Sequence, residues 1–347
     1  MRWDNLRLDV QPADDRLTLP LLEQGAVVRT FDTPDFRGIT FYEVRARSII
    51  NRVPEASRMP FRFTINPYRG CSHSCVYCFS RKSHTYLDLD YGRDFDSRIV
   101  VKVNAAELLR KELAEPKWDG EHIAMGTNVD TYQRAEGRYR LMRGIIEALR
   151  DFANPFSILT KGTLILRDLD LLVQSVAVTD VATNFSVGSI DRELWRVLEP
   201  GTPNPTRRLE AVRALNDAGV PCGVLMAPIV PFLSATGEAI RETVQAIARA
   251  GATHVTPIVL HLRKGGSREW FMAWLRERHP ELVPRYEELY GDRAYAPKAY
   301  QEDVAARVRK LARRFGVGGA TPREARGVSS PSPSPPTRPE QLTLAER

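Results

Sequence analysis

Cysteine is scarce: there are four in 347 residues, too few for a disulfide scaffold in a chain of this length. Long apolar runs are missing. No stretch approaches the ~18 consecutive apolar residues that a membrane-spanning helix needs, so no membrane contact is expected. The first residues, MRWDNLRLDVQPADD, contain no apolar signal core, which places the chain in the cytoplasm as an expectation. Charge of one sign does not dominate either. Lys and Arg number 50 against 43 Asp and Glu, a net +7, which permits a polyanionic partner without demanding one. What is present is a globular composition, 43% hydrophobic and 27% charged. A wholly disordered chain is excluded.

From about Phe61 a rhythm sets in. Apolar runs of strand length, FRFTIN (61–66), EHIAMG (121–126), PFSILT (155–160), DVATNFSV (180–187), CGVLMAPI (222–229) and HVTPIVLH (254–261), alternate with stretches of helical period. This is the pattern of βα units on a parallel sheet. The helices carry their own marks. Asn204 and Pro205 form an N-cap and a first-turn proline, with Gly219 at the end; Thr236 caps another helix, closed by Gly251. Six strands alternating with helices predict an α/β fold, a closed or partial barrel, with a doubly wound open sheet as the competing architecture. The chain divides into an N-terminal extension (1–60), the core (61–275), a C-terminal helical segment (276–317) and a Pro/Ser-rich tail (318–347) expected to be disordered.

Three of the four cysteines, Cys71, Cys75 and Cys78, fall within eight residues in the segment INPYRGCSHSCVYCFSRKSH, directly after the first strand. Such a loop can turn three thiolates onto one inorganic cluster. A 4Fe–4S cube normally takes four cysteines. Cys222 is expected at the start of the fifth strand, at the opposite end of the barrel. One iron would therefore stay open to a chelating cofactor or substrate. The alternative is a zinc site completed by His73 or, with better geometry, His84.

The C-x-x-x-C-x-x-C spacing, with Tyr77 before the last cysteine, resembles the signature of the radical S-adenosylmethionine (SAM) superfamily. MGTNVDTYQRAEGRYRLMRGIIEAL, ILTKGTLILRDLDLL and FSVGSIDRELWRVLEPGTPNPTRRLEAVRAL are similar to its spore photoproduct lyase / DNA repair photolyase-like branch, over residues 61–275. The resemblance implies a partial (β/α)6 barrel. It implies a 4Fe–4S cluster on Cys71, Cys75 and Cys78, with SAM on the fourth iron, reductively cleaved to a 5′-deoxyadenosyl radical. By the same resemblance, Gly126 and Thr127 bind the methionine amino group, Lys161 the carboxylate and Ser186 the ribose. Ala227 offers its backbone, and Tyr77 lies against the adenine. Glu199 and Arg208 form a structural pair, whereas Asp130, Gln133 and Glu136 are expected toward the substrate. His261, at the end of the sixth strand, is in reach of substrate, although a lone histidine is more often a satisfied structural residue. A reductase such as flavodoxin or ferredoxin is the implied electron source.

The chain departs from true spore photoproduct lyases in two places. No cysteine lies between Cys78 and Cys222, and Phe79 replaces the tyrosine after the third cysteine. The substrate therefore stays open. DNA is one candidate, through the arginine-rich stretch 134–143 and a basic C-terminal helix carrying Arg307, Arg309, Lys310, Arg313 and Arg314. The rival function is a zinc-stabilised nucleic-acid-binding protein without catalysis. Gln341–Leu344 resembles a short sliding-clamp-binding motif.

Overall fold

The computed structural model describes residues 6–7, 26–57, 59–321 and 323–328. The clamp-like motif at Gln341–Leu344 lies outside them. Six strands form the core: β1 (Phe63–Ile65), β2 (Ile123–Met125), β3 (Phe156–Thr160), β4 (Val181–Ser186), β5 (Cys222–Ile229) and β6 (His254–Val259). Each pairs in parallel with the next in sequence order. A doubly wound sheet needs a point where the strand order reverses. None occurs here, and the fold is the partial (β/α)6 barrel. Ile50–Arg52 adds an antiparallel strand beside β1, and Gly318–Gly319 a short parallel one beside β6.

The crossovers are α1 (Ala105–Leu113), α2 (Leu141–Asp151), α3 (Leu169–Val176), α4 (Pro205–Asp217) and α5 (Gly237–Arg249). Each buries an apolar stripe against the sheet. Met142, Ile145, Ile146 and Leu149 of α2 are fully buried. Asn204 Oδ1 accepts from Arg207 N at 2.9 Å and Thr236 Oγ1 from Ala239 N at 3.2 Å, so both expected caps form. Past β6 come α6 (Ser267–Arg278), α7 (Val283–Tyr290) and α8 (Lys298–Phe315). No described helix is long and apolar enough to cross a membrane.

Two segments differ from the expected division. The N-terminal extension is stitched into the core. Thr40–Ala46 runs parallel to Arg98–Lys102, which also pairs with Tyr68–Arg69 at the head of the cysteine loop. Residues 318–321 and 323–328, expected in the disordered tail, run along the foot of the barrel, where Ala325 and Arg326 are buried. Thr256 Oγ1 donates to Ala320 O at 2.8 Å, Asn184 Nδ2 donates to Ala325 O, and Ala325 is fully buried.

Strand alternation sorts the barrel interior into two layers. The upper layer, at the C-terminal strand ends, contains Leu159, Ser186, Leu225, Ala227 and Ile258, and it faces a cavity. The lower layer is polar: Ser157 meets His122, and Asn184 meets His254. Ala325 and Arg326 close the barrel beneath it.

Candidate active site

The cysteine loop leaves β1 and is pinned from several sides. Gln133 Oε1 accepts from Ser72 N at 2.9 Å, while its Nε2 donates to Gly70 O at 2.9 Å. Val76 N donates to Leu198 O at 3.0 Å and Gly201 N to His73 O at 3.1 Å. Arg81, fully buried, donates to the Cys75 carbonyl and to Gly92 O, and forks onto Asp96 at 2.9 and 3.0 Å. Its guanidinium also lies 4.8 Å from the Trp270 ring centroid.

The result is a cavity of about 210 Å³ lined by Cys71, Cys75 and Cys78 on one wall and by the strand ends on the other. Every residue expected at the cofactor site lines it: Tyr77, Gly126, Thr127, Lys161, Ser186 and Ala227. Cys222 does not; it is buried at the foot of β5, where its own N–H donates to Asn216 Oδ1.

Burial pushes all three loop thiols up, Cys75 to about 12. Each must give up its proton to solvent as a metal binds. Lys161 is a half-buried cation whose side chain lines the cavity. Burial lowers its pKa, but Cys75 and Glu199 outweigh that and hold it above the usual lysine value. Its Nζ donates to Ser186 Oγ at 3.1 Å and lies 5.7 Å from the Tyr77 ring centroid. Ser186 Oγ in turn donates to Ala227 O at 2.7 Å. That carbonyl turns inward because Pro228 brings no N–H to the ladder, and the β5–β6 register shifts between Met226 and Ile229.

Gly126 ends β2 at φ +71°, and a Cβ there would lie 1.8 Å from Leu159 O. The turn is pressed onto β3 and only glycine fits it. Tyr77 presents its ring to the cavity while its hydroxyl donates to Glu199. Glu199 also accepts from Arg208, which donates to Ser186 O at 2.9 Å. The Glu199–Arg208 pair is therefore a brace under the site.

The expected substrate-facing role of Asp130, Gln133 and Glu136 is corrected in part. Gln133 and Glu136 are fully buried. Glu136 accepts from Tyr68 and from the first N–H groups of α2, so both residues hold the loop. Asp130 lines the cavity, but it too is engaged. Thr160 Oγ1 and Lys161 N donate to it at 2.6 Å each, and His73 Nδ1 lies 3.3 Å away. Those partners outweigh burial and hold its carboxyl well below the usual range. His84, the better fourth ligand for zinc, meets the Arg98 carbonyl through Nε2 at 2.8 Å and packs on Phe95. It is absent from the cavity lining.

The basic surfaces lie elsewhere. Arg309, Lys310, Arg313 and Arg314 are exposed on α8, opposite its buried Val304, Val308 and Ala312. α8 runs down to Gly318, which pairs with His254 at the start of β6. Its basic end is thus remote from the cavity. In the stretch 134–143, Arg143 is paired with Asp170.

Sequence reasoning missed Arg81, the His73–Asp130 contact and the apolar upper layer. Arg81 carries no local signal, since three of its partners are backbone carbonyls. Alternation along the strands does signal Leu159, Leu225 and Ile258.

A sequential parallel barrel with a cysteine loop after its first strand, and a half-buried cation at the end of its third, defines an enzyme that works at the C-terminal strand ends. The chain belongs to the radical SAM superfamily, which matches residues 65–247. An uncharacterised protein of Mycobacterium tuberculosis is 48% identical over 321 residues, covering 92% of this chain and 94% of that one. One from Methanocaldococcus jannaschii is 27% identical over 274 residues, covering 78% and 94%. The fold is that of spore photoproduct lyase: the structure complexed with dinucleoside spore photoproduct aligns at TM-score 0.60, with 18% identity and 80% of each chain covered. A mutant of that lyase with bound AdoMet and dinucleoside spore photoproduct aligns at TM-score 0.58, with 17% identity, covering 78% of this chain and 77% of that one.

Proposed function

We propose that this enzyme holds a 4Fe–4S cluster on Cys71, Cys75 and Cys78, and binds SAM between that cluster and the strand ends. The observation that carries the proposal is the placement of three thiols and the half-buried Lys161 around one cavity, with no fourth cysteine in reach. The donor set suits the pair of cofactors. Three thiolates leave one iron open, and Lys161 is placed to neutralise a carboxylate where water is excluded. When bound, a reduced cluster supplies the electron that cleaves the C5′–S bond of SAM to a 5′-deoxyadenosyl radical.

The chain's own residues bind and orient. Lys161 takes the carboxylate and Ser186 the ribose. The Gly126–Thr127 turn takes the amino group, Ala227 offers its carbonyl, and the Tyr77 ring flanks the adenine. Glu199 and Arg208 fix Tyr77 and Ser186 from below. The apolar upper layer excludes water from the reacting atoms. A cytoplasmic flavodoxin or ferredoxin provides the electron.

Anaerobic reconstitution with iron and sulfide, dithionite reduction and assay of 5′-deoxyadenosine from SAM tests this. Product is expected from the wild type and none from Cys75→Ala. Retention of zinc in place of iron, without cleavage, would replace the proposal with the metal-stabilised binding protein.

A further inference from the structure

At the mouth of the cavity three rings stand in a row. Phe79 and His261 line the cavity, with centroids 5.3 Å apart. Tyr295 stacks on the other side of the histidine, 5.4 Å away with an interplanar angle of 27°. Arg263 spans the row. Its guanidinium carbon lies 5.7 Å from the Phe79 centroid, and its Nη2 donates to Tyr295 Oη at 3.3 Å. The row joins parts of the chain remote in sequence. Phe79 follows Cys78 directly, His261 stands just past the end of β6, and Tyr295 comes from the strap before α8, bridged to His261 through the backbone.

Two features separate this row from ordinary packing. Its outer rings are open to solvent, Phe79 at 37% and Tyr295 at 49% exposure. Its cations also have no counter-charge. Neither Arg263 nor Lys82, whose ammonium lies beside the 265 turn, pairs with a carboxylate among the described residues, whereas the neighbouring Lys264 is paired with Asp292. His261 is neutral at physiological pH, held near 4 by burial and Arg263, so the positive charge at the mouth belongs to the arginine and the lysine.

Resting on the proposed radical chemistry, we infer that Phe79, His261, Tyr295 and Arg263 form the substrate-recognition wall, and that it takes a flat conjugated ring bearing a negative charge. A ring face stacks on the exposed aromatics, and an anionic substituent meets Arg263 and Lys82. Because the wall begins at the residue after Cys78, a ring docked on it stands next to the cysteine loop. A nucleotide and an aromatic carboxylate share this chemistry.

The test is equilibrium binding to the anaerobically prepared full chain with excess S-adenosylhomocysteine, which occupies the cofactor place. Uridine 5′-monophosphate and indole-3-acetate are the probes; uridine and ribose 5-phosphate lack the charge and the ring. At least one probe is expected to bind, and to do so more tightly than uridine or ribose 5-phosphate; which probe it is distinguishes the source. Tyr295→Ala should weaken that probe by about tenfold to a hundredfold, the range of a lost ring stack. Tyr295→Phe, which keeps the ring, should restore binding. Arg263→Gln should weaken the charged probe to the level of its uncharged or ringless counterpart. Unchanged affinity in both Tyr295→Ala and Arg263→Gln, no probe binding more tightly than uridine and ribose 5-phosphate, or no binding of either probe would overturn the wall. The titration needs no SAM cleavage. Loss of 5′-deoxyadenosine formation therefore bears on the proposed function alone.

Discussion

Lys161 concentrates the electrostatics of the site. A cation withdrawn from water is costly unless neighbours compensate it, and here Cys75 and Glu199 outweigh that cost. Among the described residues, one of its three donor positions is directed at a protein acceptor, Ser186 Oγ. Lys161→Met keeps the stem and removes the charge, so the barrel should fold and the cluster should load. SAM affinity measured by calorimetry on the reconstituted protein should fall about tenfold to a hundredfold, the worth of a charge-assisted hydrogen bond. An unchanged Kd would remove Lys161 from the cofactor site. Gly126 is constrained sterically. Its left-handed φ alone costs an alanine about 1–3 kcal/mol, and the 1.8 Å approach to Leu159 O adds to that. Gly126→Ala should therefore lower Tm as well as weaken SAM binding, whereas Lys161→Met should act on binding alone. Thermal unfolding beside calorimetry separates the two.

At the level of elements, the cysteine loop is an irregular segment made rigid by side chains from outside it. Arg81 is central to this because its planar fork reaches the Cys75 carbonyl through Nε and Nη2, Asp96 through Nη2, and the Tyr91 and Gly92 carbonyls through Nη1 at once. Lysine has one point charge and cannot reproduce the fork. Arg81→Lys should keep the far-UV circular dichroism of the barrel. Iron content after reconstitution should fall, and the remaining iron should be lost faster to a chelator. Full iron retention would show that the loop holds its shape unaided. The contrast with the barrel explains what was legible in the sequence. The six strands are buried on both faces, so they appear as apolar runs, and their helices carry caps of recognisable residue type. The cysteines and Lys161 stood out by spacing and by position at strand ends. Arg81 did not, because backbone carbonyls have no residue type to read. Tyr295 reaches the mouth only through the pairing of its strap with His261. Residues 318–321 and 323–328 read as tail in the sequence because a Pro/Ser-rich composition follows them directly. Their anchoring is carried by few side chains: Asn184, Thr256 and the buried Arg326, which donates to Met125 O at 3.1 Å.

Across the whole molecule the two ends of the barrel divide the work. The upper layer is apolar apart from Ser186 and opens on the cavity. The lower layer of Ser157, Asn184, His254 and Thr256 would be a poor core by itself, since buried polar groups need partners. Ala320 and Ala325 supply carbonyls to Thr256 and Asn184, while Ser157 and His254 are partnered by His122 and Asn184. Arg326 is drawn down to about 10 by its burial, and its guanidinium lies over Phe61. Chemistry at the C-terminal strand ends and stability at the other end are the usual partition in barrels of this kind. It can be tested by undocking the floor without touching the site. Ala325 is fully buried, and Ala325→Glu would force a long carboxylate side chain into packed space. The segment should release. The lost hydrogen bonds and packing amount to about 2–3 kcal/mol, which for a chain of this size lowers Tm by about 3–4 °C. Well below the transition, SAM affinity should equal that of the wild type, the reverse of the Lys161→Met pattern. If the variant instead loses SAM affinity at low temperature, the floor props up Ser186 and its neighbours, and the two layers act as one unit.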